Sequence, residues 1–303
     1  MDYLRYSIII PCFNAYNFVS RAIDSALGQN RNDYEIIVID DGSKDKTPEI
    51  IEAYVSANKK LISFFSQENK GPGAARNAGV RIAKGEYLYF LDADDQLRTD
   101  ALDVFERAIR QDDCLCDYIY AGHYSVNTKG RVKALLPESA VIDREEGFRR
   151  LIAGKGVGPT IGAVVMHRNC FKRLSFPETI KCNEDFVLFA HLFALFNGRS
   201  ISEPVVYKYR QPESLRTDKQ AITDAVEKAP DLLFDPSILP GQYLRFRSVY
   251  TAKRYLEKAR CHFKNKEFAE FRKTFHQAVQ INRGCLFKVR FLSRYLRSFV
   301  SFY

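Results

Sequence analysis

Two short acidic stretches each end an apolar run: Asp40-Asp41-Gly42-Ser43 follows Ile36-Ile37-Val38-Ile39, and Asp92-Ala93-Asp94-Asp95 follows Tyr87-Leu88-Tyr89-Phe90-Leu91. A carboxylate at the end of a buried strand is costly to desolvate unless something holds it. Two acids one residue apart in an extended segment point the same way. That suits a hard divalent cation, which takes oxygen ligands and keeps substrate phosphates as the rest of its shell. A third pair, Glu184-Asp185, opens a helical pattern after Asn183. Acids at that place are also favoured by the positive end of the helix itself.

These residues need a frame, and the first 112 residues supply one as four strand-helix pairs. The expected strands are Tyr6 to Ile10, Tyr34 to Ile39, Leu61 to Phe65 and Tyr87 to Leu91. The helices after them are expected near Phe18 to Leu27, Pro48 to Ala57, Ala74 to Ala83 and Ala101 to Arg110. This order predicts an α/β fold with a mostly parallel sheet flanked by helices, whose ligands bind beyond the carboxyl ends of the strands. Four polar clusters fall at that edge: Pro11-Cys12-Phe13-Asn14, Asp40 to Ser43, Gln67-Glu68-Asn69-Lys70-Gly71, and Asp92 to Asp95. Singly each has an ordinary explanation, since Asp-Gly-Ser makes a good turn and Thr47-Pro48 a good helix start. Their convergence on one crevice does not.

Further along, Tyr118 to Val126 and Val132 to Leu136 read as strands around an Asn127 to Gly130 turn, and Arg144 to Ala153 reads as a helix. The glycine-rich stretch 154–159 is a mobile loop beside the site or a connector. An apolar run, Ile161 to Met166, follows it, then a helix to Phe196 and a strand from Ile201 to Tyr209. From about residue 221 the pattern is helical. The expected division is therefore 1–220 and 221–303.

Composition narrows the function class. A chain of 303 residues can bury a large core, and its seven cysteines, without a paired CxxC arrangement, indicate neither a disulfide framework nor a zinc site. The histidines 123, 167, 191, 262 and 276 do not recur at ligand spacing. No run of eighteen apolar residues occurs, so a protein that is neither secreted nor membrane-spanning is expected. The net charge of +9 is concentrated at one end, because residues 221–303 hold 16 Lys and Arg against 7 Asp and Glu while residues 1–220 are balanced. Such asymmetry reads as a patch for a polyanion or an anionic membrane, or as a solvated helical face.

The motifs taken together resemble glycosyltransferase family 2. The resemblance rests on Ser7-Ile8-Ile9-Ile10-Pro11 with Asn14, Ile39-Asp40-Asp41-Gly42-Ser43 with Asp45 and Thr47, and Asn69, Gly71, Ala75-Arg76-Asn77 and Gly79. Gly85-Glu86-Tyr87 through Asp92-Ala93-Asp94-Asp95 completes it, and it spans about residues 5–215. It implies a GT-A (Rossmann-like) fold, a divalent metal (Mn²⁺ or Mg²⁺), and inverting transfer of a sugar from a nucleoside diphosphate donor.

In that light Pro11 would shape a slot for a pyrimidine and Asp40 would accept its imide N–H, while Arg76 would reach the base or the diphosphate. Asn14, Asp41, Asn77 and Ala93 are further donor-binding positions; Asp41 either touches the donor or only orients its loop. Asp94 is the expected direct metal ligand and Asp92 a ribose or water-mediated contact, with Asp95 a cap for the next segment. The resemblance makes Asp185 the general base for the acceptor hydroxyl and Glu184 the residue that orients the acceptor. Tyr207-Lys208-Tyr209-Arg210 followed by Ser214 resembles the strand and loop that close over the diphosphate, with Arg210 on phosphate. No Trp occurs, so acceptor stacking would fall to Tyr or Phe.

The last residues, 286–303, alternate bulky apolar groups with Lys288, Arg290, Arg294 and Arg297. Such a helix could lie in an anionic bilayer surface, or pack on the catalytic domain or a second subunit. The expectation is a cytoplasmic enzyme, at most peripheral at the inner face of the membrane, that uses a UDP-sugar and a glycan or lipid-linked saccharide acceptor and binds no nucleic acid. The alternatives are a sugar nucleotidyltransferase, for which Pro11-Cys12-Phe13-Asn14 lacks the glycines and lysine of a phosphate loop, and a non-catalytic protein that binds polyanions or membranes.

Overall fold

The computed structural model describes residues 4–111, 116–211, 219–287 and 289–300. The strands are β1 (Tyr6–Cys12), β2 (Tyr34–Asp40), β3 (Ile62–Ser66), β4 (Tyr87–Phe90), β5 (Gln96–Leu97), β6 (Tyr118–Val126), β7 (Val132–Leu135), β8 (Ala140–Ile142), β9 (Val164–His167) and β10 (Gly198–Tyr209). The helices are α1 (Val19–Leu27), α2 (Thr47–Ala57), α3 (Pro72–Ile82), α4 (Ala101–Arg110), α5 (Arg144–Ala153), α6 (Glu184–Leu195), α7 (Lys219–Leu233), α8 (Arg247–Lys264), α9 (Phe268–Ile281) and α10 (Val289–Val300).

One sheet runs β3-β2-β1-β4-β9-β6-β10-β5, with β7 beside β6 and β8 beside β10. The β3-β2-β1-β4 half is parallel, as expected, and so is the β6–β10 pair. Around them β9, β7, β8 and β5 pair antiparallel, which makes the sheet mixed beyond β4.

The apolar runs are continuous because both faces of the parallel half are covered. Ile8 and Ile10 of β1, Ile36 and Val38 of β2, and Tyr87 and Tyr89 of β4 enter one core with α1, α2 and α4. Their alternates Ile9, Ile37, Ile39, Leu88 and Phe90 enter a second core with α3, α5 and α6. This is the period-two alternation of a strand carried to both sides. Helix α3 lies so close to β1 that a Cβ on Gly79 would come within 2.4 Å of Ile9 Cγ2.

Packing runs across residue 220. Ala229, Leu233, Phe234, Leu239, Tyr243 and Tyr250 belong to the second core, so α7 and the start of α8 are built into the body of the fold. A third, smaller core, with Ala252, Leu256, Ala259, Phe271, Phe275 and Ala278, joins α8 to α9. Phe291 and Tyr295 of α10 pack against it, while Leu292, Leu296 and Phe299 of the same helix are exposed. No described helix is long and apolar enough to cross a membrane.

Candidate active site

All four strand-end clusters of the parallel half meet in one cavity of about 1240 Å³. Pro11, Phe13 and Asn14 line it after β1, Asp41 after β2, Asn69 and Gly71 after β3, and Asp92, Ala93 and Asp94 after β4. Glu184 and Asp185 of α6 line it too, so the third acidic pair joins the first two. A cavity for one small ligand usually holds about 300–1,000 Å³.

Arg76 is the bridge between these groups. Its guanidinium donates to Glu184 Oε1 at 2.6 Å and to Asp92 Oδ1 at 2.8 Å, and lies over the Phe176 ring. Burial opposes the Arg76 charge, but Asp92 and Glu184 outweigh it and the group stays ionised. For Glu184, burial dominates instead: with Asp185 adding to it and Arg76 opposing, its carboxyl is pushed well above the usual carboxylate range. Asp185 is half-buried and accepts the Phe186 N–H through Oδ1 at 2.7 Å. The turn before it depends on Asn183, which takes a left-handed conformation with φ 66° and accepts a hydrogen bond from Arg254 of α8 at 2.8 Å.

In the second acidic stretch the carboxylates have unequal company. Burial raises Asp92, but Lys208 at 3.3 Å and Arg76 more than reverse this and hold it at about 2. Asp95 is buried, receives Lys208 Nζ at 2.5 Å and the Tyr209 N–H at 3.1 Å, and so anchors the end of β10 rather than capping the next segment. The Asp94 carboxylate accepts from no other side chain among the described residues, and burial together with Asp92 raises it. Carboxylate oxygens of all three lie within 4.8 Å of one another. A half-buried carboxylate that makes no ion pair among the described residues, beside an ionised one, fits a divalent ion, and oxygen-only donors fit Mn²⁺ or Mg²⁺.

The first acidic stretch differs from expectation. Asp40 accepts from the Ser43 N–H at 3.2 Å and the Ser66 hydroxyl at 3.1 Å, and it does not line the cavity. It ends β2 in register with Ser66 of β3, so its side chain serves the turn. Asp41 lines the cavity and gathers the β3–α3 loop, taking Gln67 Nε2 at 2.7 Å, Lys70 N–H at 2.9 Å and Gly71 N–H at 2.7 Å.

Two other expected donor contacts move away. Asn77 clamps Phe176 through its backbone, donating to the carbonyl and accepting from the N–H, each at 2.9 Å, and lies outside the lining. Arg210 is exposed past the end of β10, and the cation facing the acids from that strand is Lys208. Ser214 lies outside the described residues. Asn14 keeps its place by joining two loops, its Oδ1 accepting the Lys44 N–H at 2.8 Å.

Two elements of the site were not read from the sequence. Lys208 was flanked by rings and overshadowed by Arg210, although a lone charge inside a strand between two tyrosines signals a buried partner. The wall made by Arg254, Glu257, Arg260 and Lys264 of α8 has helical spacing, but nothing in the spacing says what the helix packs on.

Comparison with known proteins agrees with this geometry. Residues 7–174 match the description "Glycosyl transferase family 2". An uncharacterised glycosyltransferase of Haemophilus influenzae is 31% identical over 218 residues, covering 72% of this chain and 81% of that one. The succinoglycan biosynthesis protein ExoO of Rhizobium meliloti is 28% identical over 270 residues, covering 82% and 75%. The poly(ribitol-phosphate) beta-glucosyltransferase of Bacillus spizizenii is 28% identical over 209 residues, and the chain spans only 32% of its length. Among solved structures, S. aureus TarS 1-349 in complex with UDP superposes with TM-score 0.59 at 18% identity, covering 92% of this chain and 91% of that one. The mannosyltransferase PcManGT of Pyrobaculum calidifontis, in complex with GDP-Man and Mn²⁺, gives 0.58 at 15% identity, covering 98% and 84%. These structures share the GT-A fold, and the sequence matches place the chain in glycosyltransferase family 2.

Proposed function

We propose that the chain transfers a sugar, with inversion, from a UDP-sugar to a hydroxyl of a glycan or lipid-linked saccharide in the synthesis of a surface polysaccharide or lipopolysaccharide. The carrying observation is Arg76, which bonds Glu184 of the acceptor side and Asp92 of the donor side at once. A pair of sites joined by one buried cation suits a reaction in which two substrates must meet. The family match leaves the nucleotidyltransferase alternative without support.

On this reading Pro11 and the half-exposed ring of Phe13 enclose the base, and Asp41 rather than Asp40 accepts its imide N–H. Three donors already reach Asp41, and a carboxylate offers about four acceptor positions. Asp94, with Asp92, would hold the divalent ion, whose chemistry when bound is Lewis-acid neutralisation of the departing diphosphate. The acceptor oxygen forms a bond to the anomeric carbon as the bond from that carbon to the diphosphate oxygen breaks. The hydroxyl proton passes to Asp185, the electron pair leaves with UDP, and Glu184 orients the acceptor.

The exposed stripe of α10 supports a peripheral position at the inner face of the cytoplasmic membrane. Leu292, Leu296 and Phe299 recur at helical spacing, Phe287 beside them is 85% exposed, and Arg290 is exposed on the same helix. Apolar groups with adjacent cations suit an anionic bilayer surface. Equal sedimentation of the wild type and the L292S/L296S/F299S protein with phosphatidylglycerol vesicles would overturn this placement.

The donor reading is tested by titrating UDP with and without Mn²⁺ and by following UDP release from UDP-sugars. Asp185→Ala is expected to keep metal-dependent UDP binding and to lose about 10³-fold in transfer. Wild-type turnover in that variant would overturn the role of Asp185.

A further inference from the structure

The cavity exceeds the usual volume for one small ligand, and α8 forms part of its lining, tied to the turn before Asp185 through the Arg254–Asn183 hydrogen bond. Arg254, Glu257, Arg260 and Lys264 line it from that helix. The first two neutralise each other, since Arg254 donates to Glu257 at 2.7 Å. Arg254 is also spent on Asn183, which fixes it to the turn that carries Asp185. Arg260 and Lys264 are different: both are exposed toward solvent, both line the cavity, and among the described residues no carboxylate lies within ion-pair distance of either. They stand four residues apart on one helix, where like charges repel and weaken the helix unless an anion lies between them. Lys181, which also lines the cavity, adds a third cation, and its ammonium donates to Asn69 Oδ1 at 3.4 Å.

On the proposed reading the donor diphosphate would be met by the divalent ion that Asp92 and Asp94 would hold, which leaves Arg260 and Lys264 without a role there. We propose that the acceptor is anionic, with a phosphate or carboxylate group that sits against Arg260 and Lys264 while its reacting hydroxyl is at Asp185. The inference rests on the reading of Asp185 as the acceptor base and adds the chemical class of the acceptor. A phosphodiester-linked polyol and a uronate-containing glycan share the chemistry that this wall would recognise.

The test uses the full chain with Mn²⁺ and three tetrameric probes of similar size: a glycerol-phosphate tetramer, tetragalacturonate and neutral maltotetraose. Each is titrated calorimetrically in the presence and absence of UDP. At least one anionic probe is expected to bind tenfold or more tightly than maltotetraose, without displacing UDP, and the stronger of the two names the source of the charge. R260A/K264A changes two exposed side chains and is expected to bring the anionic and neutral probes within about threefold of each other while leaving UDP affinity unchanged. Equal affinity for all three probes in the wild type would overturn the proposal. So would a preference that survives in R260A/K264A, or an anionic probe that competes with UDP and so occupies the diphosphate site. Failure of UDP itself to bind would instead overturn the donor reading, and the probe titrations without UDP would still report on the wall.

Discussion

The two acidic turns look alike as strings of letters and are opposites as physical objects. In Asp40–Ser43 the carboxylates are met by neutral donors of the protein: the Ser43, Lys70 and Gly71 amides, the Ser66 hydroxyl and the Gln67 amide group. In Asp92–Asp95 they are met by the charged groups of Arg76 and Lys208, and Asp94 is left over. A turn satisfied from within builds the wall of a site. A turn with an unmatched charge has the make-up of a cation site.

Four measurements break or sharpen this contrast. The largest effect is expected for Asp94→Asn, which should lower transfer by about 10³-fold or more and abolish Mn²⁺-dependent UDP binding. Without metal its Tm should equal or exceed that of the wild type, because a repulsive charge is gone; a marked loss of Tm would show that Asp94 is structural. Lys208→Met should cost about 3 kcal/mol in metal-free denaturation, since it strips the cation from Asp95 and Asp92. Added Mn²⁺ should recover more stability in this variant than in the wild type, and an equal increment would refute the link between Lys208 and the metal set.

Asp41→Ala should cost about 3 kcal/mol with no such recovery, because two backbone amides and Gln67 lose their acceptor and a cation cannot replace it. The smallest effect is a reference away from both turns. Burial raises Glu106, but hydrogen bonds from Arg110, Tyr6 and Arg5 outweigh it and bring the carboxyl to about 2. Its folded value lies below the unfolded value of about 4.3. Its contribution to stability is therefore complete above that pH and is lost as pH falls toward 2. Glu106→Gln should flatten urea-unfolding stability across that window, and an unchanged slope would exclude Glu106 as a source of acid sensitivity.

Most of the frame was readable from the residues, because a strand buried on both faces leaves an unbroken apolar run and a helix leaves a 3.6-residue period. Strands β5 and β8, of two and three residues, are too short to carry a period, and both are recruited by pairing with β10. At the site, Asp92, Asp94, Glu184 and Asp185 all line the cavity, and their place was legible because each combines an unusual residue type with a strand or helix terminus. Asp41 rather than Asp40 lines the cavity, because Asp40 pairs with Ser66 across strands. Register is a long-range property that neighbouring letters do not encode. The role of α8 was hidden for the same reason: Arg254 reaches Asn183 across 71 positions of chain.

The two hydrogen bonds of Arg76 also have a thermodynamic meaning. A donor or ion that draws Asp92 away changes what the guanidinium offers Glu184, and an acceptor that engages Glu184 changes what it offers Asp92. Linkage makes such an exchange symmetric: whatever factor the donor applies to acceptor affinity, the acceptor applies to donor affinity. On the proposed assignment of donor and acceptor, a single buried side chain would let the two substrates bind as a correlated pair, so that occupancy of one half of the cavity is reported in the other.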